Sequence, residues 1–359
     1  MPELPEVERA RALVEQHCVG KSVALITSTE SGGGPRHGQF DDIVCQSSAA
    51  ELASLHGKTV AAVCRVGKQM WIEFEGGCSL LVHFGMTGSL VVHGVKAATF
   101  VEFKVHDEAW PPRFAKLELG FAPEECGGAG LDEGGLTRLA FCDPRRLGRL
   151  SVLRVPPRTV APVNQLAPDP TTGARGGFAL PSFSAAINSR SVAIKAALLD
   201  QRCAVCGVGN WIADEVLYQA KIHPAARSNS LSSQQEAALF SAVCEVVAVA
   251  CAVGADSAQF PPGWLFHHRW NKGGRKGGGG GKVGGEPVTF VTVGGRTSAV
   301  VPSQRKGAGK EVAVNGGGGK RRKVAAQGTA KVAANKVATP APAASGAKRQ
   351  RTAAAMRMR

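Results

Sequence analysis

The chain has 359 residues, of which 44% are apolar, and a formal net charge of +15. This length supports two packed domains with extensions, and the apolar fraction allows a sizeable core. Residues 303–359 carry 14 lysine and arginine residues against one acid, Glu311, so the first 302 residues, with 29 basic and 27 acidic groups, are nearly neutral. The charge therefore indicates a nucleic-acid or acidic partner for the tail and says little about the folded part.

Secretion and membrane insertion are the classes that the sequence argues against. The N-terminal residues MPELPEVE lack the basic and apolar regions of a signal peptide. No apolar run approaches the roughly 18 residues needed to span a bilayer. The ten cysteines are spread singly apart from one pair, Cys203 and Cys206. We therefore expect an intracellular protein with free thiols and no membrane partner.

The N-terminal part predicts a helix followed by strands. Pro5 suits a first helical turn, Glu6 and Glu8 complement the helix dipole, and the helix should run to about Cys18 before Gly20. Short β-rich runs separated by glycine and proline follow at residues 60–66, 69–74, 79–84, 89–92, 115–119 and 149–155. We predict an α+β protein whose residues 1–155 form a β-sandwich or barrel with an N-terminal helix.

The next two regions differ in composition. Residues 156–181 are rich in proline, glycine, alanine and threonine, and we interpret them as a linker. Residues 182–262 have helical spacing of alanine, leucine and valine, and the glycine-rich sequence GVGN at 207–210 precedes a helix predicted over 211–220. We expect a helical domain here.

The C-terminal part predicts a hairpin and then a tail. Two β runs, 288–293 and 297–301, flank Gly294-Gly295-Arg296 and so predict a hairpin within a segment at 263–302. The glycine- and lysine-rich residues 272–285 are predicted to be flexible. Residues 303–359 lack aromatic side chains and are predicted to be a disordered basic tail.

The N-terminus offers a nucleophile. Initiator methionine before proline is expected to be removed, which leaves Pro2 with a free secondary amine of pKa about 7.7–8.0. Attack of this amine on a sugar C1′ would give an iminium, which accepts electrons for elimination of phosphate. The adjacent Glu3 and Glu6, one helical turn on, can move protons. Taken alone, the same residues also suit an ordinary helix cap.

The same N-terminal residues, MPELPEVE, resemble the start of formamidopyrimidine-DNA glycosylase and its endonuclease-VIII-like relatives. The similarity recurs in order along residues 2–302, at Gly67-Lys68, HFGMTGSL from 83 to 90, DPRR from 143 to 146 and GVGN from 207 to 210. This resemblance implies that Pro2 is the nucleophile, Glu3 its acid/base partner and Glu6 a supporting carboxylate. Lys68 would contact phosphate near the lesion.

The resemblance also implies residues that bind DNA. Met86 and Arg145 match side chains that enter the gap left by a flipped base. Leu147 stands where the glycosylase often has phenylalanine, so it can wedge but cannot stack as a flat ring. Arg146 is expected to bind phosphate, with a surface salt bridge as the alternative.

Further phosphate contacts are expected in the helical domain. The glycines of GVGN would let the DNA backbone approach, and the free N–H groups of the following helix would bind phosphate. Asn210 would cap that helix or donate to phosphate. Arg190 and Lys195 are additional phosphate candidates.

The hairpin resembles the zincless finger of plant relatives, and its Arg296 matches the finger arginine at the lesion phosphate. No cysteine follows Cys251, Cys203 and Cys206 lack a second pair at zinc spacing, and adjacent His267 and His268 suit a shared metal poorly. We therefore expect neither a metal nor an organic cofactor.

The predicted function is a bifunctional DNA glycosylase and abasic-site lyase acting as a monomer on double-stranded DNA. It would remove formamidopyrimidines and hydantoins, and 8-oxoguanine more weakly because residues 254–262 leave only a short loop beside the pocket. The clusters KRRK at 320–323 and KRQR at 348–351 favour a nuclear location, with an organelle as a second one, and a tail that contacts DNA or repair proteins. The alternatives are a glycosylase for oxidised pyrimidines and a non-catalytic DNA- or chromatin-binding protein.

Overall fold

The structure, a computed structural model, describes residues 2–95, 109–123, 135–270 and 281–306. Its helices are α1 Leu4–Cys18, α2 Ala49–Ala53, α3 Leu180–Asn188, α4 Ile194–Leu199, α5 Asn210–Gln219 and α6 Ser233–Ala252. Its strands are β1 Ser22–Thr27, β2 Val60–Val66, β3 Gln69–Phe74, β4 Cys78–His83, β5 Ser89–Val92, β6 Ala115–Ala122, β7 Thr137–Cys142, β8 Arg149–Leu153, β9 Lys282–Val283, β10 Glu286–Pro287, β11 Thr289–Val293 and β12 Arg296–Val300. The α+β prediction is confirmed.

The N-terminal lobe is a sandwich of two four-stranded antiparallel sheets, with strand orders β1-β6-β7-β5 and β2-β3-β4-β8. Side chains such as Ile72 and Leu80 from one sheet meet Leu119 and Phe141 from the other in a common core. Strands β1 and β7 were not predicted from the sequence. Along edge strand β1 only Val23 is fully buried.

Helix α1 is shared by two hydrophobic cores. Val7 and Val14 belong to the sandwich core, whereas Leu4 packs in the core of the helical lobe. The N–H of Leu4 also donates to the carbonyl of Gly207 at 3.1 Å. The start of α1 therefore lies where the two lobes meet.

The predicted linker is not a simple spacer. Residues 156–179 form three short 3-10 turns, and α3 already begins at Leu180. Buried Asp169 pairs with Arg65 at 2.6 Å and accepts the N–H of Gly67 at 2.7 Å. Arg65 also pairs with Glu8 of α1 at 2.7 Å. These contacts fix the connection to the sandwich.

The helical lobe is built around α5 and α6. Helix α6 is, by length and composition, apolar enough to cross a membrane, with a mean hydropathy of 1.6, so the expectation that no run approaches this length was wrong. Its buried stripe, including Leu239, Val243 and Val247, packs in the same core as α3, α4 and α5. Such packing is typical of a core helix of a globular lobe.

The C-terminal hairpin is present, with β11 and β12 paired from Thr289↔Val300 to Val293↔Arg296. The predicted tail begins too early, because residues 303–306 are part of the lobe. Buried Gln304 donates to the carbonyl of Ile222 at 3.0 Å, and the N–H of Arg305 donates to Lys221 at 3.0 Å. Residues 307–359 and most of the predicted flexible segment, 271–280, lie outside the described residues.

Candidate active site and nucleic-acid interface

A buried carboxylate joins α1 to α5. The Glu3 side chain is 2% exposed and accepts backbone N–H groups from Gly209 (2.7 Å), Trp211 (2.8 Å) and Ile212 (3.1 Å). These donors belong to the first turn of α5, where the helix dipole favours a negative charge. Glu3 is therefore held in one orientation by a neighbouring lobe.

The glycines of GVGN make room for α1. A Cβ on Gly209 would lie 2.3 Å from the carboxyl carbon of Glu3, and one on Gly207 would lie 2.5 Å from the Leu4 side chain. Gly207 also has φ +88°, which disfavours other residues. The expectation of free N–H groups was wrong for Gly209, Trp211 and Ile212, because these three donate to Glu3.

Glu6 completes the junction. Its carboxylate accepts the backbone N–H of Glu3 at 3.0 Å and the indole N–H of Trp211 at 3.1 Å. Burial raises the pKa of Glu6 to about 7, and the charge of Glu3 adds to this rise. Burial also raises the pKa of Glu3. Glu6 can thus carry a proton near neutral pH.

Pro2 and Glu6 line a cleft of about 320 Å³ between α1, β5 and the end of α6. Pro2 is only partly buried, in contrast to Glu3. A pocket of this size matches a small ligand or a single extruded base. The arrangement thus places the Pro2 ring and a carboxyl group of raised pKa in one cavity.

Lys68 lies beside this junction. Its ammonium donates to the carbonyl of Val208 at 2.8 Å, within the GVGN sequence. Burial lowers the pKa of Lys68, while the nearby charges of Glu3 and Glu6 oppose that change and Arg296 reinforces it. The structure therefore brings Pro2, Glu3, Glu6 and Lys68 together and puts Arg296 within electrostatic range.

One buried carboxylate organises the two predicted wedge loops. Asp143 accepts the hydroxyl of Thr87 at 2.7 Å and the backbone N–H groups of Leu147 and Gly148, each at 2.7 Å. The loop that carries Met86 is thereby joined to the turn that carries Arg145 and Leu147. In the sequence, Asp143 is recognisable only as part of a motif, because its burial is not visible there.

The side chains on this turn differ in exposure. Leu147 is 38% exposed and Arg145 is exposed, whereas Met86 is partly buried. Arg146 forms two bonds to buried Asp41, at 2.8 and 2.9 Å. Its guanidinium therefore anchors the turn, as the salt-bridge alternative predicted, and in this structure it does not present a free phosphate ligand.

Asp41 is the centre of a charged cluster beneath the turn. Lys116 approaches Asp41 at 3.1 Å and also pairs with buried Glu30. Burial would raise the pKa of Asp41, but the hydrogen bonds from Arg146 and Lys116 bring it down to about 2. The cluster thus remains charged and fixes the base of the turn.

Lys195 is not a phosphate contact in this structure. Its side chain is fully buried, and its ammonium donates to Asp214 at 2.6 Å and to the Ser298 hydroxyl at 2.7 Å. The other oxygen of Asp214 accepts Arg269 at 3.0 Å and the N–H of Ala299 at 3.2 Å. This cluster, which the sequence analysis missed, fastens strand β12 to α5 and so positions Arg296.

The remaining predicted residues have mixed settings. Gly209 caps α5, so Asn210 is its first helical residue, and the Asn210 amide donates to the carbonyl of Thr297 at 3.3 Å. Arg190 is exposed and pairs with Asp200. Arg296 is exposed at the first position of β12. Among the described residues, no group of three or more histidine, cysteine, aspartate or glutamate side chains could hold a metal ion.

Comparisons with known proteins agree with this architecture. The family model described as formamidopyrimidine-DNA glycosylase N-terminal domain matches residues 1–150, and the model of the H2TH domain of the same glycosylase matches residues 166–261. The formamidopyrimidine-DNA glycosylase of Arabidopsis thaliana is 36% identical over 313 residues, which are 87% of this chain and 72% of that protein. That of Thermobifida fusca (strain YX) is 32% identical over 72% of this chain and 79% of that protein.

Solved structures show the same fold. MutM (Fpg) from Thermus thermophilus has a TM-score of 0.61 at 28% identity, over 86% of this chain and 100% of that chain. MutM in complex with DNA containing carbocyclic 8-oxoguanine has a TM-score of 0.62 at 26% identity, over 85% of this chain and 100% of that chain.

The two lobes and the junction between them define a DNA glycosylase with a helix–two-turn–helix lobe. The chain belongs to the formamidopyrimidine-DNA glycosylase family. It is a bifunctional DNA glycosylase and abasic-site lyase of base excision repair. The family resemblance seen in the sequence is confirmed.

Proposed function

We propose that this glycosylase acts on duplex DNA through the amine of Pro2. The amine attacks C1′ of the damaged nucleotide, the C1′–N bond breaks, and the base leaves with a proton. The amine loses its proton, the C1′–O4′ bond breaks with protonation of O4′, and an iminium forms on the Pro2 nitrogen. Removal of a C2′ proton gives an enamine, whose electrons then expel the 3′ phosphate as the C3′–O bond breaks. The observation that carries this proposal is the shared cleft of Pro2 and Glu6.

The two carboxylates have different proposed roles. Glu6 is the proton donor to the departing base, because its pKa of about 7 leaves it partly protonated at neutral pH. Glu3 is held by three N–H groups, so it fixes the start of α1 and keeps one lone pair of Oε1 for proton transfer at the sugar. Lys68, Arg296 and Asn210 would hold the phosphates that flank the damaged nucleotide.

Met86, Arg145 and Leu147 are proposed to fill the gap in the base stack. Supporting this, Asp143 joins the two loops that carry them, and Arg145 and Leu147 are exposed. Leu147 offers an apolar wedge without a ring, so selection of the opposite base should be weak. Arg190, exposed on the helical lobe, is proposed as a more distant phosphate contact.

The lesion preference is proposed from the segment after α6. Residues 254–262 contain one short turn, Ser257–Gln259, and Phe260 packs on Trp211 with ring centroids 5.5 Å apart. The segment is therefore anchored on the helical lobe and offers few backbone donors to a flipped planar base. Loss of one or two such hydrogen bonds costs about 1–3 kcal/mol, so 8-oxoguanine should be a poorer substrate than formamidopyrimidines and hydantoins.

Single-turnover excision tests this substrate class. Matched duplexes carry a formamidopyrimidine, a hydantoin, 8-oxoguanine or an oxidised pyrimidine opposite cytosine or the correct partner base. We expect the formamidopyrimidine and hydantoin duplexes to react fastest. Fastest excision of the pyrimidine lesion would favour the endonuclease-VIII-like alternative, and equal rates for 8-oxoguanine and hydantoin would contradict the short-loop argument.

The hairpin is proposed to work as a zincless finger. The hairpin strands carry no cysteine, and the cluster of Lys195, Asp214 and Arg269 fastens β12 to α5 instead. Activity should therefore survive prolonged treatment with a strong chelator. Loss of activity that added zinc restores would contradict this proposal.

The tail is proposed to bind DNA and to direct this DNA-repair protein to the nucleus. Residues 307–359 carry 12 lysine and arginine residues and one glutamate. Truncation after Lys306 should flatten the salt dependence of duplex binding, since each phosphate contact contributes about −0.9 to the log–log slope. A fluorescent protein fused to the C-terminus should enter the nucleus, and changing KRRK and KRQR to glutamines should prevent entry. An unchanged slope and an unchanged distribution would contradict the two proposals.

A further inference from the structure

One wall of the Pro2 cleft is a stripe of α1. Glu6, Arg9, Leu13 and Gln16 recur at helical spacing along this wall, and Phe84 lies among the residues opposite. Arg9 is therefore a cationic side chain inside the same cavity as the proposed nucleophile. None of the roles considered so far uses it.

Two acidic side chains of α1, Glu8 and Glu15, already form ion pairs with other residues. Glu8 pairs with Arg65 at 2.7 Å and with Arg11 at 2.8 Å, and Glu15 pairs with Arg11 at 2.8 Å. In the part of the chain that the structure describes, no carboxylate forms an ion pair with Arg9. Its neighbour Arg11 is thus a structural ion-pair residue, whereas Arg9 retains an unpaired charge at the cleft.

Arg9 is held in place by a backbone acceptor. One guanidinium nitrogen, Nη1, donates to the carbonyl of Gly254 at 3.1 Å, just beyond the end of α6. Gly254 and Ala255 both have left-handed backbone, with φ +59° and +56°, which turns the chain back at this point. A guanidinium has five N–H donors, so most remain available to a ligand in the cleft.

We propose that Arg9 reads the extruded base by donating to its carbonyl oxygens. This inference rests on the proposed function, in which Pro2 attacks a nucleotide whose base occupies this cleft. Guanine-derived lesions carry a carbonyl oxygen where adenine-derived lesions carry an amino group. An arginine donor matches the carbonyl and opposes the amino group, so Arg9 favours guanine-derived lesions.

A phosphate contact is the competing role for Arg9. A base contact fits the location better, because Leu13, Phe84 and Leu90 give the cleft apolar walls suited to a ring. The two roles differ in their consequences. A phosphate contact acts on every substrate, including a duplex whose base is already absent, whereas a base contact acts only while the base is attached.

The test compares Arg9→Gln and Arg9→Lys with the matched control Arg11→Gln on the same helix. Three duplexes are used, with the formamidopyrimidine of guanine, the formamidopyrimidine of adenine and a preformed abasic site. Single-turnover excision is measured on the first two and strand cleavage on the third. Thermal unfolding of each full-length variant reports whether the fold is retained.

We expect Arg9→Gln to slow excision of the guanine lesion by about 10- to 100-fold, the effect of losing a hydrogen bond to a charged group. Excision of the adenine lesion and cleavage at the abasic site should change far less. Arg9→Lys should retain part of the preference for the guanine lesion over the adenine lesion, and Arg11→Gln should retain all of that preference.

Equal slowing of both formamidopyrimidines, or equal slowing at the abasic site, would overturn the inference, as would an unchanged preference in Arg9→Gln. In each of these cases wild-type excision and cleavage leave the proposed function standing. A wild-type protein that neither excises formamidopyrimidines nor cleaves abasic sites would overturn the proposed function and the inference together.

Discussion

The α1–α5 junction and the turn at residues 143–148 use buried carboxylates in opposite ways. At the junction, Glu3 is itself proposed to transfer a proton at the sugar, and its oxygens accept three N–H groups from the start of α5. At the turn, Asp143 is the buried support, and the proposed DNA-binding side chains Arg145 and Leu147 are exposed above it. Contacts between the lobes therefore hold the Glu3 carboxylate in place, whereas the proposed DNA contacts depend on side chains that protrude from a fixed turn. Substitutions in the two regions should separate these effects.

The largest effect is expected from Glu3→Gln. The amide would place an N–H donor against the N–H donors of Gly209, Trp211 and Ile212, and it could not transfer a proton as a carboxyl group does. We expect excision and abasic-site cleavage to fall by about 10²- to 10⁴-fold. Both are measured under single-turnover conditions on formamidopyrimidine and abasic duplexes.

The matched control is Glu51→Gln. Glu3 and Glu6 form a capping box at the start of α1, and Ser48 and Glu51 form one at the start of α2, where Glu51 is exposed. Its replacement should leave both rates unchanged. Comparable rate losses in the two variants would show that capping of a helix, rather than the junction with α5, accounts for the effect.

The next effect concerns stability. Lys195→Met leaves buried Asp214 without one of its two cationic partners, so it should lower the free energy of unfolding by about 3 kcal/mol. Arg190→Gln removes an exposed pair with Asp200 and should leave stability unchanged. Chemical denaturation measures both. Equal stability losses would contradict the burial argument, and an unaffected Lys195→Met variant would show that Arg269 alone holds Asp214.

A smaller effect is expected at the exposed turn. Leu147→Ala removes the proposed wedge, so excision from duplex DNA should slow by about tenfold while the midpoint of thermal unfolding stays constant. Asp143→Asn should lower the excision rate and also the midpoint of thermal unfolding, because the carboxylate holds Thr87 and two N–H groups. A stability loss in Leu147→Ala would indicate that this side chain packs within the protein instead of reaching DNA.

A further effect, on the pH dependence of stability, is expected from Glu6. Its pKa rises from 4.5 to about 7 in the folded protein, so the folded state holds a proton that the unfolded state has released between these values. The free energy of unfolding should therefore fall as pH increases through this window. In Glu6→Gln that part of the slope should disappear, as measured by urea denaturation across the window. An identical slope in both proteins would contradict the raised pKa.

Several strands of the sandwich were predictable from runs of apolar and β-branched residues. The strand predicted over 60–66 coincides with β2, and the predicted hairpin strands lie within one residue of β11 and β12. Burial does not separate the strands that were found from those that were missed. Edge strand β2 was predicted although only two of its residues are buried, whereas inner strand β7 was missed although its last four residues are buried.

The site was predictable as a set of motifs but not as a set of contacts. The sequence could not show that Glu3 would occupy the N–H groups after GVGN, because that contact joins residues about two hundred positions apart. It also could not show that Lys195 is buried against Asp214, since lysine is usually exposed. Long-range pairing between lobes decides which polar groups remain for DNA.

Covalent trapping tests the central claim most directly. Borohydride reduces an iminium to a stable amine, so incubation with an abasic duplex should yield a protein–DNA adduct that peptide mapping places on Pro2. Pro2→Gly keeps the N-terminal amine but removes the proline ring, so this variant should trap poorly. An N-terminal extension should abolish trapping. An adduct on an internal lysine such as Lys68, or an adduct that forms despite the extension, would contradict the account.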